Sequence, residues 1–515
     1  MDHPAPTTAN HGLKEPQKLC FETARTRRLV LGSYWTIIIL AFPFWWNLTS
    51  IERIALPSYR VRAQLDRKPV FPVNVQLDAS SFQGSAPTFG RALHEILAQT
   101  TQASPTWRDL DIQVGVSEHA GDQSEGPNVY SVVLGNHTAV RHPRQLVVSQ
   151  EDALSALRLG SILSRLLAPE ITSMQAQRIA QYTKRYRLAF TLLNENAASP
   201  HLVNSWDIQA AFAGKFSRFI YHMFPIISRL NLLHNFTIES QVQYHAPLAF
   251  EPLQFVVANN TLHGLTPEDL TVFINSAEWT LSSSVSNDPV LHFVLFVPSP
   301  ALQPLHILDA HGLPTSQNAF LLPQWGGIFI LNRHARAETM THLTAADLVP
   351  VFSAFANQLS ALLGVPPLPD GVKSEESSLL SDWQLDALLR YRTSENILGS
   401  QQTLYSIIKL VDQIENMPVD QTVRGDVHDA LTALGEAHRS AVGSPATALQ
   451  WSSEALSLAS HAFFNPGMLA LLYFPAEHKY AVYTPLFASV SVPLIVALGR
   501  EVYGWRRERR VVRSG

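Results

Sequence analysis

Two uninterrupted apolar runs bracket a long stretch in which polar and apolar positions alternate. The first, Leu29 to Trp46, reads LVLGSYWTIIILAFPFWW and holds no charged residue. As a helix rising about 1.5 Å per residue it spans about 27 Å, close to the hydrocarbon thickness of a bilayer. Trp45 and Trp46 close it as interfacial aromatic residues do. A cleavable signal peptide has a shorter apolar run and small residues at its cleavage point, so the Phe44-Trp45-Trp46 ending predicts an uncleaved anchor. The second run, Ala481 to Gly499, reads AVYTPLFASVSVPLIVALG and is also uncharged. Pro485 and Pro493 are compatible with a membrane helix whose neighbours satisfy the freed backbone groups. Ala488, Ser489 and Ser491 are small, which fits either a lone tilted anchor or a helix that another approaches closely.

Between the runs, Val73, Val75 and Leu77 alternate with polar residues, as do Leu110, Ile112, Val114 and Val116, and both patterns predict strands. Further short strands are expected at Val129 to Leu134 and Leu146 to Val148, with a helix over Ala86 to Thr100. Ser149-Gln-Glu-Asp152 resembles a capping box opening a helix through about Leu167. A strand with Tyr186, Leu188, Phe190 and Leu192 on one face follows, then a helix over Asp207 to Leu230 and a strand over Thr237 to His245. Val272 to Asn275, Val290 to Val297, Leu305 to Leu308 and Ile328 to Leu331 complete the expected strands. Strands alternating with helices predict a layered α/β sandwich. At Val365 to Ser378 the text becomes VPPLPDGVKSEESS, a linker composition. Beyond it Leu404, Ile407, Ile408, Val411 and Ile414 share a helical face before Pro418 ends the run. Ser444-Pro445 is a cap with proline at the first helical position, opening a helix to about Ala462 that Asn465-Pro466 interrupts.

Charge fixes the orientation. Lys14, Lys18, Arg25, Arg27 and Arg28 precede the first run, while Arg53, Arg60, Arg62, Arg67 and Lys68 follow it, so that run is undecided. The second run has only Lys479 close before it, but Arg500, Arg506, Arg507, Arg509, Arg510 and Arg513 after it. Excess Lys and Arg marks the cytosolic side. The expected organisation is therefore a cytosolic tail (1–28), a first transmembrane helix (29–46) and a lumenal α/β domain (47–365). A linker (366–378), a lumenal helical region (379–480), a second transmembrane helix (481–499) and an Arg-rich cytosolic tail (500–515) follow. Charged residues make up 16% of the chain, below the roughly 25% of soluble domains. A net charge of −4 with no basic stripe gives no reason to expect a nucleic-acid partner. Cys20, the single cysteine, precedes the first span, so the lumenal part has neither a thiol nucleophile nor a disulfide.

Asn136-His-Thr, Asn235-Phe-Thr and Asn259-Asn-Thr are glycosylation candidates in the middle part and agree with the lumen of the secretory pathway. Asn47-Leu-Thr abuts the membrane and is read as unused. No His-Glu-x-x-His, Gly-x-Ser-x-Gly or P-loop pattern occurs. Asp309 and His311 are two apart but have no third ligand in sequence range, so a solvated turn is expected. Phe82-Gln-Gly-Ser-Ala-Pro is a weak match to a phosphate-cradling turn. Pro323-Gln-Trp-Gly-Gly327 reads as a tight turn feeding the Ile328 strand, with a partner contact as the alternative. The residues thus point to a scaffold without catalytic, metal or cofactor residues. The alternatives are an independent lumenal enzyme, with Asp309 and His311 as its first suspects, or a chaperone.

Several segments resemble the PIG-S family over nearly the whole chain. Pro43-Phe-Trp-Trp46 followed by Leu56-Pro57 looks like the family's first anchor. Ser205-Trp-Asp-Ile208, Asn235-Phe-Thr with the strand to Tyr244, and Pro323-Gln-Trp-Gly-Gly-Ile328 are similar to its middle. The most specific match is Phe464-Asn-Pro-Gly-Met-Leu-Ala-Leu-Leu-Tyr-Phe-Pro475, continuing through Lys479-Tyr-Ala-Val-Tyr-Thr-Pro-Leu-Phe487. The resemblance implies a non-catalytic subunit of the GPI transamidase in the endoplasmic reticulum membrane. Its implied partners are PIG-K, which carries the nucleophile, PIG-T, PIG-U and a Gaa-type subunit.

Overall fold

The computed structural model describes residues 23–49, 53–79, 82, 86–117, 126, 128–170, 179–198, 202–209, 223–257, 260–281, 286–332, 341–375, 380–414, 417–470 and 476–514. Cys20 and Asn259 lie outside this set, as do residues 83–85 of the glycine-bearing turn. The chain forms two compact units. One comprises Met1–Leu56, Ile407–Gly425 and Ala462–Gly515; the other comprises Pro57–Ser406 and Asp426–His461.

The larger unit begins with β1 (Phe71–Asp78), β2 (Leu110–Ser117), β3 (Val129–Gly135), β4 (Ala139–Arg141) and β5 (Gln145–Ser149). β1 pairs in parallel with β2, placing Val73 beside Ile112 and Val75 beside Val114. β3 lies in parallel on its other side and β5 follows in parallel, while β4 returns antiparallel. The predicted alternation is what buries Val73, Val75 and Leu77. The Ala86–Ala103 helix and the Ala156–Leu167 helix pack on each other and contribute Leu93, Leu97, Leu159 and Leu163 to this core. Each such side chain stabilises the fold by about 1.5–3 kcal/mol through removal from water.

Ser149 caps the helix, its hydroxyl accepting from Asp152 N at 3.3 Å, but the box is not closed: the Ser149 backbone N–H donates to Thr138 Oγ1 at 3.1 Å instead of to Asp152. The helix it opens is shorter than expected: Gln150–Ala153 stops and Ala156–Leu167 restarts. Asp152 also accepts from Thr138 at 2.5 Å, which pins the first turn to the β4 side. The break at Leu154 and Ser155 releases the next helix to turn its leucines inward.

Next come β6 (Arg185–Asn194), β7 (Ser205–Trp206), β8 (Asn235–Gln243), β9 (Leu253–Val257), β10 (Asn260–Leu265), β11 (Val290–Val297), β12 (Leu305–Ile307), β13 (Ala319–Leu322), β14 (Gly326–Ile330), β15 (His342–Leu343) and β16 (Lys373–Ser374). The principal sheet runs β13-β14-β11-β6-β8 and is parallel except at β13. β6 and β11 are central and almost continuously buried, as expected of parallel strands covered on both faces. On one face Phe190 and Phe293 meet Phe352 and Phe355 of the Ala345–Leu363 helix. On the other, Val294 and Phe296 join Phe273, Trp279, Leu305 and Ile307. The latter two belong to a small sheet ordered β12-β10-β9.

Three expectations change here. Val272 to Asn275 is not a strand. A Thr266–Asp269 capping box starts the Pro267–Thr271 helix, and the chain then drops Phe273 into the core while Asn275 bonds the Pro247 carbonyl. Of the helix expected over Asp207 to Leu230, Met223–Leu230 is helical, and residues 210–222 lie outside the described set. The proline- and serine-rich stretch carries β16, which pairs with Ala139 and Val140 of β4.

The C-terminal region is helical: Asp382–Gln413, Gln421–Ala441 and Pro445–Phe463. Leu404, Ile407, Ile408 and Val411 are buried, as their spacing predicts. Among the described residues, three helices are long and apolar enough to cross a membrane. They cover Arg25–Phe44, Ala345–Leu363 and Ala481–Arg507. The terminal pair has none of its apolar window buried; the middle one, absent from the sequence expectation, has half.

Candidate functional site

Asp309 and His311 form no reactive pair. The Asp309 carboxylate accepts from the backbone N–H groups of His311 and Leu313 at 2.8 and 2.9 Å. Those bonds, that to Leu313 foremost, hold its carboxyl below the usual range. Gly312, at a φ of 77°, closes the turn. Among the described residues no group of three or more His, Cys, Asp or Glu side chains is placed to hold a metal ion.

Of the Pro323-Gln-Trp-Gly-Gly327 segment, Pro323 to Trp325 form the turn between β13 and β14, and the two glycines open β14. Trp325 N donates to the Leu322 carbonyl at 3.2 Å, with proline second and Gln324 third at a φ of 58°, the signature of a type II turn. The tryptophan stacks on His292, with ring centroids 4.7 Å apart. A Cβ on Gly326 would sit 1.9 Å from the His292 carbonyl oxygen, and one on Gly327 would sit 1.9 Å from Gln358 Oε1. Gln358 donates in turn to the carbonyls of Phe320 and Ile328. The two glycines are there because neighbouring groups leave no room for a side chain.

The densest polar cluster was not foreseen from sequence. Asp386 accepts from both Arg144 Nε (2.6 Å) and Arg144 Nη2 (3.1 Å), and from the Tyr130 hydroxyl (2.8 Å). Arg390 donates to that hydroxyl at 2.8 Å and to the Leu167 carbonyl at 3.3 Å. Two residues further along the helix, Arg392 caps the carbonyls of Ala180 and Leu363. Burial pushes the Tyr130 hydroxyl well above its ordinary pKa, so it stays protonated and donates. These side chains fasten the Asp382–Gln413 helix to the first sheet and to loop ends. All their strong bonds are spent inside the protein.

Asn136 and Asn235 are both exposed, the first after β3 and the second at the start of β8, an edge strand. Thr237 is exposed, whereas Thr138 is buried against Asp152.

In the smaller unit, the terminal helices Ala24–Thr49 and Ala476–Ser514 are joined at one end. Arg27 Nε and Arg28 Nε both donate to the Glu501 carboxylate, at 3.2 and 2.7 Å. Half-buried Leu31, Trp35 and Ile38 on one helix, and Ser491, Leu494 and Ala497 on the other, recur at helical spacing. Ala488 and Ser489 are exposed. Between Arg53 and Val419 a backbone bridge forms, and Arg53 donates to the Val411 carbonyl at 2.7 Å.

These features define a class: a membrane-associated protein built on mixed α/β sheets with a helical C-terminal region. The chain belongs to the PIG-S family, whose sequence model, described as "Phosphatidylinositol-glycan biosynthesis class S protein", matches residues 32–508. It is similar to the "GPI-anchor transamidase component PIGS" of Homo sapiens, at 30% identity over 538 residues covering 93% of this chain and 95% of that protein. The Mus musculus protein of the same name is 35% identical over 367 residues, covering 69% of this chain and 64% of that protein. The "GPI transamidase component PIG-S homolog" of Schizosaccharomyces pombe is 28% identical over 540 residues, covering 98% and 88%.

Proposed function

We propose that the chain is a non-catalytic structural subunit of the GPI transamidase of the endoplasmic reticulum, supporting transfer of GPI to the C-termini of precursor proteins. The observation that carries this reading is the family match from residue 32 to 508, which runs from one terminal helix to the other. Relatives in mammals and yeasts are named as components of this enzyme. Two further features support a scaffold. The single cysteine is Cys20, outside the large domain, so a thiol nucleophile must come from another subunit. Asp309, the first suspect for independent chemistry, spends its carboxylate on its own turn.

In this reading only the terminal helices span the bilayer. The Ala345–Leu363 helix is a core element, because Leu348, Val351, Phe355, Leu359 and Leu362 are almost wholly buried within the α/β domain. The α/β domain and the helices after it form a layered lumenal body, with both termini cytosolic. The arginines from Arg500 to Arg513 support that orientation. Asn136 and Asn235, exposed on that body, are the glycan acceptors, with Asn259 a third candidate.

The partners are PIG-K, PIG-T, PIG-U and the Gaa-type subunit. Affinity purification in mild detergent is expected to recover all four, and deletion of the gene to leave GPI-protein precursors unprocessed. Recovery of a monodisperse monomer, together with normal GPI anchoring in null cells, overturns the proposal.

A further inference from the structure

A groove of about 490 Å³ opens on the larger unit between the Pro445–Phe463 helix and the chain that leads into β8. Trp451 leaves 40% of its surface exposed in the groove, and Leu232 beside it leaves 50%. Planar amides, from Asn231 and Gln450, flank this apolar floor. The charges present are matched, since Lys184 pairs with Glu454.

His234 lines the same groove and is 1% exposed. Its Nδ1 lies 2.6 Å from the Thr183 carbonyl and therefore donates. Burial holds the ring neutral, with its pKa pulled down to about 4. The proton on Nδ1 leaves Nε2 as an acceptor, and that atom has no partner among the described residues. A buried acceptor without a donor is costly, and it sets an unsatisfied polar atom directly behind the groove wall.

An indole face, flanking amides and a carboxylate are what a sugar ring requires. Its C–H face packs on an aromatic surface while its hydroxyls both donate and accept. An anionic ligand is disfavoured, because the lysine in the groove is already neutralised. We propose that this groove binds a pyranose sugar. The ring lies on Trp451 and its hydroxyls bond Asn231, Gln450 and Glu454, beside the buried, unmatched His234 Nε2.

The sugar has two possible sources. Asn235 lines the groove and heads the Asn235-Phe-Thr sequence, so an N-linked chain attached there starts at its rim. The glycan of a phosphatidylinositol-glycan is the source in trans. The first source rests on the lumenal placement proposed above; the binding chemistry does not.

Saturation-transfer NMR on the detergent-solubilised full chain tests this, with N,N'-diacetylchitobiose and a mannosyl-glucosamine disaccharide as probes. Thr237→Ala removes the acceptor sequence while keeping Asn235. This variant is expected to bind at least one probe, and Trp451→Ala in the same background to weaken binding at least about tenfold. Asn231→Ala, at an exposed position, supplies a second arm should the tryptophan variant misfold. If the glycosylated native chain stays silent until its N-glycans are removed enzymatically, the Asn235 chain fills the groove. If the native chain binds the added sugar as it stands, the groove takes its ligand in trans. Absence of saturation transfer from both probes to the Thr237→Ala chain, or undiminished binding after both groove substitutions, overturns the proposal. A native chain that carries no glycan on Asn235 yet binds a probe refutes the cis source and leaves the groove.

Discussion

Asp386 has side-chain exposure of 3% and accepts from Arg144 and Tyr130, while Arg390 reaches it through the tyrosine hydroxyl. Its bidentate pairing with Arg144 is a strong, geometry-fixing contact. Asp386→Asn removes the carboxylate that Arg144 and Tyr130 bond and leaves Arg144 and Arg390 facing each other across Tyr130. The expected cost is about 3–5 kcal/mol of stability, the range for breaking a buried pair from one side. Chemical denaturation of the solubilised protein measures it, and a loss below about 1 kcal/mol, the scale of an exposed pair, contradicts the account.

His234 yields a pH dependence of definite sign. Its folded pKa, near 4, lies below the ordinary value of 6.5, so the unfolded chain takes up a proton first as the pH falls. The stability from keeping it neutral is complete above pH 6.5 and drains away as the pH drops towards 4. Between pH 7.5 and 5 this one residue accounts for about 2 kcal/mol. His234→Gln should flatten that part of the curve, and an unchanged slope rejects the assignment.

At the scale of elements, the turn before β14 separates two kinds of crowding. The Cβ of Gly326→Ala meets backbone, the His292 carbonyl, which cannot move without breaking the β11 pairing. That of Gly327→Ala meets a side-chain amide, on Gln358. The first variant is expected to fail to accumulate. The second is expected to lose about 1–3 kcal/mol. Part of the second loss should return with Gln358→Ala, read by thermal melts of the single and double variants. Equal penalties in both glycine variants, with no coupling to Gln358, count against this reading.

The sheets were partly legible for a related reason. β1, β2 and β6 show a buried face in their local spacing and are expected from it, and β11 is expected over Val290 to Val297 as well. β4, β9, β10 and β13 are short strands held in local hairpins with β5, each other and β14, and β16 exists because a distant partner pairs with it. β16 rests on β4 across more than two hundred residues, which no local window contains. The Ala345–Leu363 helix shows the converse limit. Its apolarity is equal to that of a membrane span, and only Phe190 and Phe293 on other elements reveal what it covers. The sugar groove was illegible too: Asn235 stood out as a three-residue pattern, but Trp451 and His234 meet it only through the fold.

For the whole molecule, the smaller unit is assembled from three segments far apart in sequence. The Arg53 bridge to Val419 ties the exit of the first terminal helix to the stretch around residues 407–425. Such non-local assembly is expected to complete late in folding.

The Glu501 clasp sets a clock. Its carboxylate follows Arg27 by 474 residues and Arg28 by 473. At about 5–20 residues per second, the arginines are made about 25–95 seconds before their counter-charge exists. During that interval solvent, ions and lipid headgroups are what they have to face. The two terminal helices can therefore join through this contact only once Glu501 has been made, so the pairing records that extension has passed it: a chain stopped short of Glu501 lacks the clasp.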